Sequence, residues 1–309
     1  MRRLLLTLVS LLLASLGARA AGDDTRLRSG SFEHQGQTRS FVFYLPAPAR
    51  GSVPLVLALH GFGGSGRNVL QQGRWVDKAQ AEGFALLAPD GSLQNADRRE
   101  SFLANPRSWN SGPTTGSPAS ESGVDDIGFL RALLGQFVAA QGIDPRRVYA
   151  TGFSNGAAMA FRVGAELPEL VAAIAPVSNA LLVPVRELKP PVSLLLIWGD
   201  ADPLNPIQGG RLRREGGRVD RPAGATSLAQ WARALNCPPS VTQDMAPGVR
   251  RQRHLGCAAD SAAEFITVQG LAHQWPGGKE YLRAISGPGS NLISATDLIW
   301  DFFRSHARP

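Results

Sequence analysis

Residues 152–156 read Gly-Phe-Ser-Asn-Gly and lie between an apolar run at 147–151 and a stretch of small residues at 157–160. This is the GxSxG pattern in the strand–turn–helix setting that a nucleophile elbow requires. Such a turn is strained and crowded, so glycine on both sides of the serine leaves space that a side chain would fill. GxSxG alone is a weak signal because Gly and Ser are common. With this context, Ser154 is the first candidate nucleophile.

The first 20 residues have the layout of a secretory signal peptide. Arg2 and Arg3 precede an apolar run at 4–16, and Ala18-Arg19-Ala20 forms an A-x-A cleavage site. The alternative, an uncleaved anchor, is disfavoured because the apolar run is shorter than the roughly 18 residues that a spanning helix needs. We therefore expect a secreted product, extracellular or periplasmic, without stable membrane insertion.

The remaining chain, 21–309, is long and apolar enough to bury a full core, and we expect a single catalytic domain there. Loss of Arg2, Arg3 and Arg19 with the signal peptide would lower the formal charge from +7 to +4. The densest basic stretch, 211–221, contains no aromatic residue, and we interpret it as a solvated loop. The sequence therefore predicts no nucleic-acid partner, and it leaves the oligomeric state open.

The chain has two cysteines, Cys237 and Cys257. In an oxidising compartment we expect them to form a disulfide that stabilises the fold by roughly 3 kcal/mol in the chain-entropy model. Two buried free thiols are the alternative. Without a histidine cluster nearby, two cysteines do not make a zinc site, so we predict no metal.

Short apolar runs alternate with helix-like segments, which is typical of a mostly parallel sheet covered by helices on both faces. The fold class is therefore α/β. The predicted strands are 41–45, 55–59, 84–88, 148–151, 171–176, 192–198 and 263–268. The predicted helices are 68–82, 125–141, 155–167, 226–235 and 291–306.

Two segments are too long and polar to be simple connections. Residues 90–124 exceed the roughly 12 to 15 residues usual for an unstructured loop, and such insertions often bind ligands. Residues 209–224 are rich in Gly and Arg. They are expected to form either a mobile flap or a disordered segment without function.

A serine hydroxyl is a weak nucleophile at neutral pH, so it needs a histidine to take its proton and an acid to orient that histidine. In α/β-hydrolases the order along the chain is Ser, then Asp or Glu, then His. His273 follows the strand predicted at 263–268, and Asp200 and Asp202 follow the strand predicted at 192–198. We favour Asp202 as the acid, with Asp200 capping the turn. The alternative for His273 is a structural surface histidine.

Acyl transfer also needs N–H donors directed at the oxyanion. The first should be the backbone N–H of Asn155, and the second that of Phe62 in the loop 59–66, Leu-His-Gly-Phe-Gly-Gly-Ser-Gly. The competing interpretation, a phosphate cradle, lacks the GxxxxGK[ST] lysine and the GxGxxG spacing. We expect His60 to brace this loop.

At these residues the chain resembles the secreted esterases that include polyhydroxybutyrate depolymerases and feruloyl or acetylxylan esterases, a branch of the α/β-hydrolase fold. The similar segments are LHGFGG at 59–64, VDDIGFLRAL at 124–133, GFSNGA at 152–157, 231–237, and GLAHQWPGG at 270–278. The Gly-Thr-x-Asp pattern of that family reads Gly-Asp-Ala-Asp at 199–202, which places the acid at Asp202. By the same resemblance, Trp109 and Trp275 would line an acyl or aromatic pocket, although both could equally be core residues.

The resemblance implies a secreted serine esterase that uses no metal or cofactor. Its substrate would be a polyester oligomer or a plant cell-wall ester. Two alternatives remain: a peptidase of the prolyl-oligopeptidase class, which normally carries a further propeller domain, and a non-catalytic carbohydrate-binding protein on a hydrolase scaffold. The complete set of triad candidates argues against the second.

Overall fold

A ten-stranded mixed sheet organises the molecule. The computed structural model describes residues 24–46, 51–113, 116–214 and 217–308, so the signal peptide predicted at 1–20 lies outside the described residues. The strands are β1 (Arg28–His34), β2 (Gln37–Tyr44), β3 (Val53–Leu59), β4 (Ala85–Pro89), β5 (Ser92–Leu93), β6 (Arg107–Ser108), β7 (Ile143–Phe153), β8 (Ala173–Val177), β9 (Ser193–Gly199), β10 (Gly210–Arg214), β11 (Gly217–Arg221), β12 (Ser240–Ala246), β13 (Val249–His254) and β14 (Ala263–Val268). The helices are α1 (Gly66–Gln72), α2 (Trp75–Glu82), α3 (Pro118–Glu121), α4 (Asp126–Ala140), α5 (Asn155–Glu166), α6 (Gly224–Ala234), α7 (Arg283–Ser286) and α8 (Ala295–Arg304).

The strand order is β1-β2-β4-β3-β7-β8-β9-β14-β13-β12. The central strands from β4 to β14 pair in parallel, and antiparallel strands extend the sheet at both edges. Parallel strands end at the same edge of a sheet, where α/β proteins bind their ligands. The loops that follow β3, β7, β9 and β14 therefore meet there, and these loops carry Phe62, Ser154, Asp202 and His273.

Side chains of the central strands alternate between two apolar layers. In β3, Leu55, Leu57 and Leu59 belong to the layer that contains residues of α4, α5 and α6, whereas Val56 and Ala58 belong to the layer that contains residues of α1, α2 and α8. Because both faces of the sheet are covered, these strands are continuously apolar. That is why they could be found in the sequence.

All seven predicted strands are confirmed, as β2, β3, β4, β7, β8, β9 and β14. Four predicted helices correspond to α4, α5, α6 and α8 with shifted ends. The prediction of one continuous helix over 68–82 is wrong, because the chain breaks into α1 and α2 at Gly73 and Arg74. Arg74 has φ 52°, and the Gly73 carbonyl accepts a hydrogen bond from Thr296 Oγ1 at 2.6 Å instead of continuing the helix.

Of the two expectations for 209–224, the disordered segment is wrong for the described residues, whereas the mobile flap stays a prediction. β10 and β11 form an antiparallel ribbon there. A two-stranded ribbon needs no apolar stripe, so the charged sequence of β10 and β11 shows no pattern from which these strands could be predicted. β1, β12 and β13 were missed for a related reason, because their sequences are largely polar; β1 and β12 are also largely exposed edge strands. The insertion 90–124 contains the small β5–β6 ribbon and α3.

The predicted disulfide joins Cys237, just after α6, to Cys257, just after β13, with an S–S distance of 1.99 Å. It ties the segment after β13 to the end of α6, the helix that packs on β9 and β14. Among the described helices, none combines the length and the apolar character that crossing a bilayer would require.

Candidate active site

Ser154 lies at the turn between β7 and α5, with φ 55° and ψ −116°. A non-glycine residue in this region costs about 1–3 kcal/mol, and the conformation persists only where the surroundings fix it. A Cβ at Gly152 would collide with the carbonyl of Gly156, and one at Gly156 with the carbonyl of Leu59. The two glycines of GxSxG are therefore required by backbone contact, as the sequence predicted, and they let the serine stand at the end of the strand.

Asp202 and His273 are brought together at the same edge of the sheet. His273 Nδ1 lies 2.7 Å from Asp202 Oδ2, and both side chains are buried. Asp202 Oδ1 accepts hydrogen bonds from the backbone N–H groups of Leu204 and Asn205 at 2.9 and 2.8 Å. Trp198 Nε1 also donates to Oδ2, at 3.2 Å. The carboxylate is thus held in one orientation with one oxygen on the imidazole.

Asp200, the competing carboxylate, is exposed and does not contact His273. Its Oδ1 accepts the backbone N–H of Gly270 at 2.7 Å, which stabilises the turn after β14. This geometry matches the turn-capping role expected of Asp200.

Ser154 and His273 line one cavity of about 200 Å³. The Phe153 ring packs on the imidazole with a centroid distance of 4.7 Å. Among the described residues, no hydrogen bond joins the Ser154 hydroxyl to His273. In ligand-free enzymes the contact between nucleophile and base is often longer than a hydrogen bond and shortens only when substrate binds. The missing hydrogen bond therefore does not exclude Ser154 and His273 as a catalytic pair.

Two backbone N–H groups are available beside Ser154. Within the described part of the chain, neither Phe62 nor Asn155 donates its backbone N–H to a protein acceptor. Asn155 is the first residue of α5, where an N–H has no partner within the helix. Its side chain accepts the Trp109 N–H at 2.7 Å and donates to Ser111 Oγ at 3.0 Å. The insertion 90–124 thereby fixes the position of Asn155.

His60 braces the loop after β3, as expected. Its Nδ1 lies 2.7 Å from the Gly61 carbonyl, and its Nε2 accepts the Gly91 N–H at 2.8 Å. This pattern needs a neutral ring with the proton on Nδ1. Burial lowers the pKa of His60 to about 4, although the hydrogen bond to Gly61 favours the protonated form.

Because the folded-state pKa of His60 lies below its ordinary value of 6.5, the unfolded chain binds a proton that the folded protein does not between pH 6.5 and about 4. The stability that the neutral ring contributes is complete above pH 6.5 and is lost as the pH falls through this window. Between pH 6.5 and about 4, we expect protonation of His60 to lower the free energy of unfolding by about 3 kcal/mol. Urea unfolding at several pH values measures it.

His60→Gln is the matched control, because its Oε1 can still accept the Gly91 N–H but does not titrate. The variant should lose this part of the pH dependence. Equal slopes of unfolding free energy against pH in both proteins would contradict the assignment to His60.

Trp109 and Trp275 are not on the cavity wall. They are 0% and 1% exposed, and neither lines the cavity that contains Ser154. Trp109 Nε1 donates to the His60 carbonyl at 3.1 Å, and Trp275 Nε1 donates to Thr296 Oγ1 at 3.0 Å. The predicted contact of both tryptophans with substrate is therefore corrected to the alternative, core residues that support the loops of the site.

The cavity is lined instead by several apolar side chains that the sequence analysis did not select as substrate contacts. Phe62 and Phe102 line it with ring centroids 6.5 Å apart, and Tyr281, Leu282 and Ile285 also line it. All five are more than a third exposed. The signal in the sequence was a set of large apolar residues inside polar loops, but their proximity to Ser154 depends on the fold. None of the residues lining this cavity is Asp, Glu, Lys or Arg.

A larger groove of about 660 Å³ lies beside the β12–β13 hairpin. It is lined by Asp200, Asp244, Arg250 and other surface residues, and it contains no serine, cysteine or histidine. The groove lacks a nucleophile with a base, so the smaller cavity is the candidate active site. No cluster of three or more metal-ligating side chains occurs among the residues described.

Comparison with known proteins decides the family. The family model described as Esterase PHB depolymerase matches residues 39–187. A protein named "Putative esterase NocK" from Nocardia uniformis subsp. tsuyamanensis is 32% identical over 292 residues, which is 86% of this chain and 79% of that protein. This chain belongs to the PHB depolymerase-type esterases. The esterase is thus a carboxylic-ester hydrolase, as the resemblance implied.

Two further relatives extend the comparison. The esterase is 27% identical to feruloyl esterase B of Piromyces equi over 261 residues, which is 81% of this chain but 46% of that protein. Its structure aligns with that of the acetyl xylan esterase from Aspergillus awamori with a TM-score of 0.55 at 14% identity, over 86% of this chain and 94% of the other. At this identity the alignment concerns the fold alone, and it confirms the α/β-hydrolase fold.

Proposed function

We propose that the esterase cleaves its substrate with Ser154 as nucleophile, His273 as general base and acid, and Asp202 as the residue that orients His273. One observation carries this proposal: the imidazole is anchored through Nδ1 to a buried carboxylate, at the cavity that also contains a serine in a strained turn. Anchoring through Nδ1 leaves Nε2 with its lone pair available to take a proton.

The reaction would proceed through an acyl-enzyme. The Ser154 oxygen bonds to the ester carbonyl carbon while Nε2 of His273 takes the hydroxyl proton, and the carbonyl π electrons move to oxygen. The N–H groups of Phe62 and Asn155 stabilise this oxyanion. The carbonyl then re-forms, the bond to the alcohol oxygen breaks, and His273 protonates the leaving alcohol. Water repeats these steps on the acyl-enzyme and releases the acid. No metal or cofactor is needed.

The cavity favours an uncharged ester with an apolar group. It has no charged lining residue, and Phe62, Phe102 and Ile285 contribute apolar walls. An apolar cavity of about 150 Å³ holds a benzene ring. The cavity of about 200 Å³ therefore has room for a substituted aromatic or a short hydroxyalkanoyl group, and an acetyl group would fill it poorly. We infer a feruloyl-type or hydroxybutyrate-type ester in preference to an acetyl ester.

A pair of matched esters tests the substrate class. We expect kcat/KM for p-nitrophenyl butyrate to exceed that for p-nitrophenyl hemisuccinate by about a hundredfold, because an unpaired carboxylate in this cavity costs about 3 kcal/mol. Ile285→Lys, which adds a cation to the wall, should narrow this ratio. Leu292→Lys, an exposed control that does not line the cavity, should not. Equal kcat/KM values for the two esters in the wild-type protein would rule out the proposed selectivity.

The two alternative functions are less well supported. Membership of an esterase family favours ester bonds over peptide bonds as targets, and it argues against a carbohydrate-binding protein without activity. We also propose that residues 1–20 direct export and that 21–309 act as one catalytic domain in an oxidising compartment, where the disulfide is stable. Amino-terminal sequencing of the exported protein should begin at Ala21, and a start at Met1 would exclude cleavage.

A further inference from the structure

One arginine of the β10–β11 ribbon contacts two asparagines next to the proposed catalytic residues. Arg221 Nη1 donates to Oδ1 of Asn179 at 2.6 Å and to Oδ1 of Asn205 at 3.2 Å. Both asparagines are almost completely buried. Asn179 follows β8 and Asn205 follows β9, so one guanidinium nitrogen joins the loops of two neighbouring parallel strands.

Asn179 contacts the nucleophile turn directly. Its Nδ2 donates to the backbone carbonyl of Ser154 at 2.8 Å. The Ser154 N–H donates to the Val177 carbonyl at 3.0 Å. These two bonds hold both sides of a residue whose backbone has φ 55°, a conformation that needs such support.

Asn205 contacts the acid turn and a second residue in the left-handed region. Its backbone N–H donates to Asp202 Oδ1 at 2.8 Å, and its Nδ2 donates to the Ser178 carbonyl at 2.8 Å. Ser178 has φ 60° and directly precedes Asn179. A continuous series of hydrogen bonds through Asn179, Arg221 and Asn205 therefore links the Ser154 carbonyl to the Asp202 carboxylate.

An asparagine amide can face either way, because its oxygen and nitrogen have nearly the same shape. A cation on the oxygen side decides the orientation, since it attracts Oδ1 and repels the NH₂ group. Arg221 donates to both Oδ1 atoms, and the Ala180 N–H also donates to Oδ1 of Asn179 at 2.9 Å. With these donors on the oxygen side, the Nδ2 atoms of Asn179 and Asn205 face the Ser154 and Ser178 carbonyls.

We infer that Arg221 is a positioning residue, which fixes the Ser154 turn relative to Asp202 by orienting these two asparagines. The inference rests on the proposed triad of Ser154, His273 and Asp202. Arg221 does not line the cavity, so it is expected to affect the rate of the chemical step and not the binding of substrate.

Arg221→Ala tests the inference, with Arg233→Ala as control because Arg233 is an exposed arginine of α6. kcat is measured per active site titrated with a fluorophosphonate, which removes the effect of unfolded protein. We expect kcat of Arg221→Ala to fall by about ten- to a hundredfold with KM little changed, because small misplacements of reacting groups have effects of this size. Tens of millimolar guanidinium should restore part of kcat, and sodium chloride at equal ionic strength should not. Arg233→Ala should stay within about twofold of wild type.

Asn179→Asp is the second variant, because it keeps the shape and the oxygen that faces Arg221 but loses the donor to the Ser154 carbonyl. It should lose kcat to a similar degree, and adding Arg221→Ala to it should cost little more. A kcat of Arg221→Ala within about twofold of wild type, a loss that guanidinium does not reverse, or fully additive losses would overturn the inference. If instead Ser154→Ala kept its activity, the triad itself would be wrong, so the two failures are distinct.

Discussion

Replacing Ser154 with alanine is expected to lower kcat by about 10⁶-fold, the size of loss seen when the nucleophile of a serine hydrolase is removed. Without the hydroxyl, no acyl-enzyme can form, and His273 and Asp202 have no alcohol to activate. The loss should appear in kcat with the cavity unchanged, because alanine fits wherever serine does. Steady-state hydrolysis of p-nitrophenyl butyrate measures it.

Ser122→Ala is the matched control, because Ser122 is an exposed serine at the end of α3. It should keep wild-type kcat. Thermal unfolding of Ser154→Ala should give nearly the wild-type midpoint, which excludes misfolding as the cause. Residual activity of Ser154→Ala above about one per cent would be far outside the expected loss and would point to another nucleophile.

Asp202→Asn is expected to lower kcat by about 10⁴-fold. Asp202 accepts hydrogen bonds from four N–H groups, those of Leu204, Asn205, Trp198 and His273. An asparagine brings an NH₂ group into this ring of donors and stabilises the wrong tautomer of the imidazole. Active-site titration is needed alongside kcat, because a donor that faces other donors also lowers stability.

Asp200→Asn is the control that separates the two carboxylates of the turn after β9. Asp200 is exposed and binds the Gly270 N–H, so its variant should keep kcat within about threefold of wild type. If Asp200→Asn lost more activity than Asp202→Asn, the acid would be assigned to the wrong residue.

The catalytic candidates could be predicted because local chemistry specifies them. GxSxG needs its glycines for backbone contact, and the structure places a carbonyl against each of them. The fold also brings the candidates together, because each of them follows a parallel strand and such strands end at the same edge of the sheet. His60 was recognised as a bracing residue from its position in the same Gly-rich loop.

The features that the sequence analysis did not predict depend on contacts between distant segments of the chain. The break between α1 and α2 involves Thr296, more than two hundred residues away. Whether Trp109 lies in the core or on the cavity wall is decided by the His60 carbonyl that its indole binds. The ribbon that carries Arg221 has no apolar pattern, and the role inferred for Arg221 depends on two asparagines that follow other strands.

The central claim is that Ser154 is the nucleophile and that His273 activates it. The most direct measurement is labelling with a fluorophosphonate, followed by mass spectrometric mapping of the modified peptide. We predict one adduct per chain, located on Ser154, with inactivation in step with labelling and with much slower labelling of His273→Ala. An adduct on a different residue, or full esterase activity in a protein completely labelled at Ser154, would contradict the account.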